Sequence, residues 1–441
     1  MEAASLLPAM DTRVLETAGF EAAEALLERI AARTSLLSRD SGSWQFCYEL
    51  VRESLRRRVA LTPQSERKAL HGRIAAALEA CGNDQGALDA YAAAGDRAAV
   101  TRLLRERGFD LVDAGCVDAV LAAIDALDVK TRREDAAILG LRGAAHATKG
   151  RPARAEGLLR RALAHAGADS VLWATITLRL ALLLANRGDD VRELLDPLAA
   201  AEGQPSEYRA EALSLIAAQR ALANDANTAT AAVAQVVALL PSIDHDIARA
   251  KVLQRIGVAA VNTGDIDGAQ RALEEAADLA MELELFSLAS RAYANLCNLV
   301  LHEYDDAAAH SSYANRAVLA ARRSGNQFDL QTALLQILRS AMQKGDDKTA
   351  LFVEKELAAI ETGDEGRRHI LSSFAALRLT WIGRFSEARQ LLTRSHGQFH
   401  YLFDRAMAAG LCALLLALDE RRDSSSALVT ETVRAVRVGR T

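Results

Sequence analysis

At 441 residues the chain exceeds the size at which a single hydrophobic core stops growing, so several domains or a repeat array are expected. Half of the residues are hydrophobic, only 5% are aromatic and alanine abounds, which is the composition of closely packed helices. The formal charge of −5 is spread without a basic stripe, arguing against an extended nucleic-acid surface, and five scattered cysteines without a C-x-x-C pair suggest neither a disulfide framework nor a zinc site.

The N-terminus, MEAASLLPAM, carries Glu2 and no basic region, so it does not read as a signal peptide. The longest apolar run, residues 410–418, is too short to span a bilayer, and the expected location is cytoplasmic. Asp11 is placed to cap a short helix ending near Gly19, and residues 20–34 form an amphipathic helix. Two short apolar runs, Ser35–Ser38 and Ser43–Tyr48, flank the turn Arg39-Asp40-Ser41-Gly42 and predict a β-hairpin. A helix over 49–60 follows. Helices, a two-stranded wing and a further helix are the order of a small winged-helix unit, assigned to residues 1–62. The longest basic run, Arg56-Arg57-Arg58, reads as a solvated helix face.

These residues carry a resemblance. WQFCYELVRESLRRRV, followed by RKALHGRIAAALEA and DAYAAAGDRAAVTRLL, is similar to the segment after the nucleotide-binding domain of MalT-like, LuxR-type ATP-dependent regulators of the STAND class. Trp44, Phe46, Glu49, Leu50, Val51, Arg52 and Leu55 match the family phrase, and Tyr48 stands where a histidine is common. The resemblance implies a winged-helix unit that packs on an ATPase domain instead of reading DNA, then helical repeats of the tetratricopeptide (TPR) kind. A Walker A loop needs glycines to bare its N–H groups and a lysine to reach the phosphates, yet the dipeptide Gly-Lys never occurs here. Nor does the stretch ALVTETVRAVRVGRT look like the family's DNA-binding helix-turn-helix. The expectation is the middle and arm of such a regulator, as a fragment, a truncated frame or a stand-alone relative.

From Pro63 onward a repeat takes over, degenerate over 63–130 and TPR-like over 131–441. Candidate turn residues are Gly82, Gly115, Gly150, Gly188, Asn224, Gly264, Tyr304, Gly345 and Gly383, spaced 33 to 41 residues apart. Five residues after most of them stands alanine: Ala87, Ala155, Ala229, Ala269, Ala309, Ala350 and Ala388, with Glu193 breaking the column and Ala119 off by one. Seven residues before stand Ala75, Gly143, Ala181, Ala217, Gly257, Cys297 and Ala376, with Leu338 the exception. Nine after come Tyr91, Leu159, Val233, Leu273, Tyr313 and Leu392. Small side chains at fixed offsets mark where paired helices cross closely, so the fold class is all-α: a TPR-like α-solenoid of antiparallel helix pairs behind a small winged-helix unit with one β-hairpin. Helices over 406–418 and 424–438 are expected to end the array, as a cap or as a surface for a further domain.

Chemistry is sparse. His396 and His400 have a metal-compatible i, i+4 spacing, but Gly397 lies between them and no third ligand is near, so both read as structural or exposed. His302-Glu303 lacks the second histidine of a metalloprotease motif, and Asp189-Asp190, Asp305-Asp306 and Asp346-Asp347 read as helix caps. No enzyme, no cofactor and no metal are expected. First helices of a solenoid line its concave face, which here places Lys251, Gln254, Val258, Asn262, Arg291, Asn298, His302, Arg339 and Gln343 on the binding side. That mixture of amides and cations suits a protein or peptide segment, or a small-molecule inducer; neither nucleic acid nor membrane is an expected partner. The leading reading is the sensor or scaffold arm of a MalT-like regulator. The second is a stand-alone adaptor, and the third, a DNA-binding winged helix with a helical arm, is opposed by the near-balanced charge of residues 1–62.

Overall fold

The computed structural model describes residues 1–395 apart from 8–9, 41–42, 168–169, 304–305 and 361–364, together with residue 414. The histidines His396 and His400, the turn at Tyr304, the helix expected over 424–438 and, apart from residue 414, the helix expected over 406–418 lie outside the described residues. Among those described, 23 α-helices and one two-stranded sheet form two compact units: Met1–Val112 with Cys116–Leu141, and Asp113–Gly115 with Arg142–Thr441.

The first unit opens with α1 (Glu2–Ser5), α2 (Thr12–Thr17) and α3 (Ala23–Arg33), then β1 (Leu37–Asp40), β2 (Ser43–Phe46) and α4 (Glu49–Leu61). The Asp11 carboxylate accepts from the Arg13 amide at 2.9 Å and starts α2, while Gly19 leaves it with φ +85°. The hairpin register runs from Leu37 opposite Phe46 to Asp40 opposite Ser43, so Arg39 and Asp40 are strand residues and not turn residues. Cross-strand pairing explains the longer strand. The Arg39 guanidinium lies 5.6 Å from the centre of the Trp44 ring directly opposite it, and Trp44 is buried. Met10 joins the far side of Trp44 through a backbone hydrogen bond of 3.0 Å.

The basic run is exposed as expected, but it also ties down α1. Arg56 Nε donates to the Ser5 carbonyl at 2.8 Å, Arg52 reaches the Ser5 and Leu7 carbonyls, and Arg58 pairs with Glu2 at 3.1 Å. Cations at the carbonyl end of a helix satisfy its orphan acceptors. The pairs α5 (Gln64–Ala80) with α6 (Asp84–Ala94) and α7 (Arg97–Asp113) with α8 (Val117–Asp125) follow, then α9 (Val129–Glu134).

The second unit is a stack of helix pairs. It takes up most of α10 (Ala136–Thr148) and continues with α11 (Pro152–His165), α12 (Val171–Arg187), α13 (Arg192–Ala200), α14 (Ser206–Leu222) and α15 (Ala226–Leu239). Next come α16 (Asp246–Thr263), α17 (Ile266–Glu282), α18 (Phe286–Glu303), α19 (Ala307–Ser324), α20 (Gln327–Gln343), α21 (Asp347–Ala359), α22 (Glu365–Trp381) and α23 (Phe385–Ser395). From α12 onward each first helix packs on its own second helix and, from α12 to α20, on the first helix of the next pair.

Every expected turn residue that is described (Gly82, Gly115, Gly150, Gly188, Asn224, Gly264, Gly345 and Gly383) has positive φ, where a Cβ is strained and glycine or asparagine is favoured. At Gly264 the chain also closes hydrogen bonds backwards, Asp265 N to Ala260 O at 3.0 Å. The same Asp265 then accepts from Gly268 N at 3.0 Å to begin α17.

The small-residue columns are buried where the helices cross. Ala87, Ala155, Ala229, Ala269, Ala350 and Ala388 are at most 1% exposed, as are Ala75, Ala181, Ala217, Cys297, Leu338 and Ala376. A Cβ added to Gly257 would stand 2.5 Å from Leu273 Cγ and 3.4 Å from Ala269 O, so the three columns meet at one point. Gly143 repeats this against Leu159 Cγ at 2.7 Å and Ala155 O at 3.2 Å.

Three positions depart from the expected register. After Gly115 the buried residue is Val120 and not Ala119, so that repeat keeps the offset of five. His310, fully buried, takes the place expected of Ala309, which is only half-buried. The break at Glu193 has a geometric cause. Two extra residues, Asp189 and Asp190, delay α13 relative to its turn, and Val191 and Leu195 fill the crossing while Glu193 faces solvent. Among the described residues no helix is long and apolar enough to cross a membrane.

Candidate ligand groove

Because second helices pack outward against neighbouring pairs, the side chains one turn apart on α12, α14, α16, α18 and α20 are left facing a common space. This is a cavity of about 500 Å³ within the second unit, a size typical of ligand pockets. Leu182, Leu215, Val258, Ala294 and Phe328 supply its apolar surface. Asn186, Gln219, Gln254, Asn295 and Thr332 supply polar groups, and the charged side chains lining it are Arg255 and Arg291.

Both guanidiniums are held from behind. Arg255 Nη1 donates to Glu211 Oε2 at 3.2 Å, and lies 3.5 Å from Ser214 Oγ; the two charged side chains are each 10% exposed. Burial lowers the Arg255 guanidinium below its ordinary value, and the Glu211 carboxylate opposes that shift. Arg291 Nε donates to Asp329 Oδ1 at 2.8 Å and its Nη2 to Ser287 Oγ at 3.2 Å, and Ser287 in turn donates to Asp329. Asn326 completes the cluster, donating to Ser287 at 3.2 Å while its own carbonyl oxygen caps α20.

A smaller chamber of about 80 Å³ adjoins the groove and shares Leu182, Gln254, Arg255 and Arg291 with it. It adds Glu211, Arg179, Lys251 and Asp113, the last from the Asp113–Gly115 segment that packs with this unit. Arg179 grips both oxygens of Asp113 at 2.5 and 2.6 Å, and Lys251 Nζ stands 3.1 Å from Oδ2. Burial by itself would raise the Asp113 carboxyl, but the charges and hydrogen bonds of Arg179 and Lys251 together outweigh it and hold the group well below the usual carboxylate range.

Of the residues expected on the binding side, Lys251, Gln254, Val258 and Arg291 come together around these two spaces. Asn262 does not join them: it is exposed and its amide folds back onto the Val258 carbonyl at 2.8 Å. Asn298 and Arg339 are not lining residues but partners, with Arg339 Nη1 donating to Asn298 Oδ1 at 3.0 Å and Gln336 Nε2 to the same oxygen at 3.1 Å. His302 and Gln343 lie on α18 and α20, and their side chains fall outside the described residues. The sequence reading missed Arg255, Glu211, Arg179 and Asp113. A signal existed for Arg179, a lone charge inside the apolar run ITLRLALLL.

No protein-family model matches the chain, and no curated protein matches it. Among solved structures, the Rap protein complexed with competence and sporulation factor superposes with a TM-score of 0.54 at 12% identity, covering 77% of this chain and 98% of that one. A STAND protein with a tetratricopeptide repeat sensor from Pyrococcus horikoshii gives 0.44 at 11% identity, covering 98% of this chain but 61% of its own length. The human IFIT1 dimer with m7Gppp-AAAA gives 0.46 at 12% identity, covering 93% of this chain and 94% of that one. The first of these shows the fold: an all-α, TPR-like helical repeat.

Proposed function

We propose that the chain is a non-enzymatic sensor or scaffold arm that takes a protein or peptide segment, or a small-molecule inducer, into the groove of its first helices. The observation that carries this reading is the cavity of about 500 Å³ walled by five successive first helices. Its apolar floor supplies burial, the amides of Asn186, Gln254 and Asn295 can both donate and accept, and Arg255 and Arg291 favour an acidic group. The Rap protein of similar fold is itself complexed with a factor, which is in keeping with a binding role.

In the finer form of this reading, residues 1–62 are a winged-helix unit that relays occupancy of the groove to an ATPase domain, as in MalT-like regulators. The motif WQFCYELVRESLRRRV and the run of helices, hairpin and helix support it, and the engagement of Arg56 and Arg58 with α1 speaks against their reading DNA. A stand-alone adaptor would use the same groove. Translating the DNA on both sides of the reading frame separates the two: a Walker A motif upstream favours the regulator.

The groove itself is tested with a displayed peptide library selected on the full chain and counter-selected on Val258→Trp, which narrows the cavity. The expected result is a set of peptides that bind the wild type in calorimetry and lose at least tenfold in the variant. No enrichment, or equal binding to both proteins, would remove the groove as the site.

A further inference from the structure

Resting on the groove reading, we propose that the guest is a peptide segment in extended conformation, recognised through its main chain, with Gln254 as the central contact. Gln254 stands where the groove and the smaller chamber meet, and it lines both. It is only 8% exposed, yet its amide makes no hydrogen bond to any described residue. Asn186 on α12 and Asn295 on α18 are half-buried in the same wall, and their amides are likewise without a partner among the described residues. The other polar groups of the wall are engaged. Gln219 accepts from Val191 N at 3.3 Å and donates to the Asp189 carbonyl, and Thr332 donates to the Phe328 carbonyl at 2.9 Å. Arg255 and Arg291 are paired with Glu211 and Asp329.

A guest that displaces water from an open amide must return both a donor and an acceptor, or leave a buried polar group unpaired. The complement of an amide is another amide. An extended peptide repeats that complement, since the N–H and C=O of alternate residues face the same side. Extent decides against a compact guest. First helices from α12 to α18 pack in succession, with α14 between α12 and α16. At about 8–10 Å between axes, the three steps from Asn186 to Asn295 cover roughly 24–30 Å. At about 3.3 Å per residue, one step takes about three residues of extended chain and the whole run about eight or nine. A volume of about 500 Å³ drawn out over such a length is a slot, which suits one strand. Nor is this wall a by-product of the repeat. Asn186 lies two residues before its turn glycine and Gln254 ten before its own, so the open amides share no repeat position.

The test takes peptides from the displayed library that bind the full chain and rebuilds each with single ester bonds. One main-chain N–H at a time then becomes oxygen while every side chain stays. In calorimetry, about tenfold or greater losses are expected at three positions, one gap being about three residues and the other about six, with little change between them. Gln254→Met keeps the reach of the side chain and discards its amide. Because that amide holds nothing in the fold, the variant should melt with the wild type. It should nevertheless bind the peptides about tenfold more weakly, and one of the three esters should cost nothing further in it. Peptides that tolerate every ester within about threefold, or that bind a folded Gln254→Met as well as the wild type, overturn this inference and leave the groove reading standing. Failure of the groove reading looks different: no peptide is enriched, or Val258→Trp binds equally, and the inference falls with it.

Discussion

Asp113 serves two cations with one carboxylate, and this has a pH signature. Its folded proton affinity lies below that of the unfolded chain, so the stability it contributes is fully present above the unfolded value of 3.8 and is lost as the pH falls through it towards the lower folded value. In urea denaturation, Asp113→Asn should therefore cost stability at about pH 7, where Arg179 and Lys251 are left facing an amide, and the gap to wild type should narrow below about pH 4. A gap that widens on acidification would contradict the pairing. Two glycines make the complementary point about space. Gly157 lies exposed on α11 with nothing within 4 Å of an added Cβ, so Gly157→Ala should stabilise by roughly 0.5–1 kcal/mol through helix propensity alone. Gly257 has the same propensity to gain, but its Cβ would stand 2.5 Å from Leu273 Cγ, and Gly257→Ala should lose about 1–3 kcal/mol to overpacking. Denaturation curves that shift in the same direction for both would refute the helix crossing.

At the scale of one helix pair, the turn Thr263-Gly264-Asp265 ends α16 and starts α17 within three residues. Asp265→Ala removes the acceptor for Gly268 N and should cost about 1 kcal/mol, recovered in part by Asp265→Asn or Asp265→Ser, which also cap. Thermal melts of the three variants check the order. These elements were legible because their causes are local: a left-handed residue, an acceptor after it, and a small side chain five residues on. Where the reading failed, a non-local choice decided the outcome. Arg39 joined a strand because Trp44 stood opposite, and Glu193 left its column because two inserted aspartates delayed α13. His310 replaced Ala309 at the crossing, a substitution that alanine spacing does not encode.

In the second unit as a whole, pairs touch mainly their neighbours, so damage should spread only locally. Hydrogen exchange in Gly257→Ala is expected to quicken in α16 and α17, fade through α15 and α18, and leave α11 and α22 at wild-type rates; uniform loss of protection would instead indicate one cooperative block. The site was legible in part. Helix order puts Lys251, Gln254, Val258 and Arg291 on the inner side, but which cation is neutralised depends on carboxylates from other pairs, and no spacing within one repeat foretells Glu211 behind Arg255 or Asp113 beside Arg179. The walls of the groove come from five pairs, from Asn186 on α12 to Thr332 on α20. A guest long enough to reach both ends would splice together segments that otherwise never meet, turning a chain of handshakes into a single strut. A shorter guest would stiffen only the part it spans. The array would then act as a ruler, reporting the length of its occupant as rigidity.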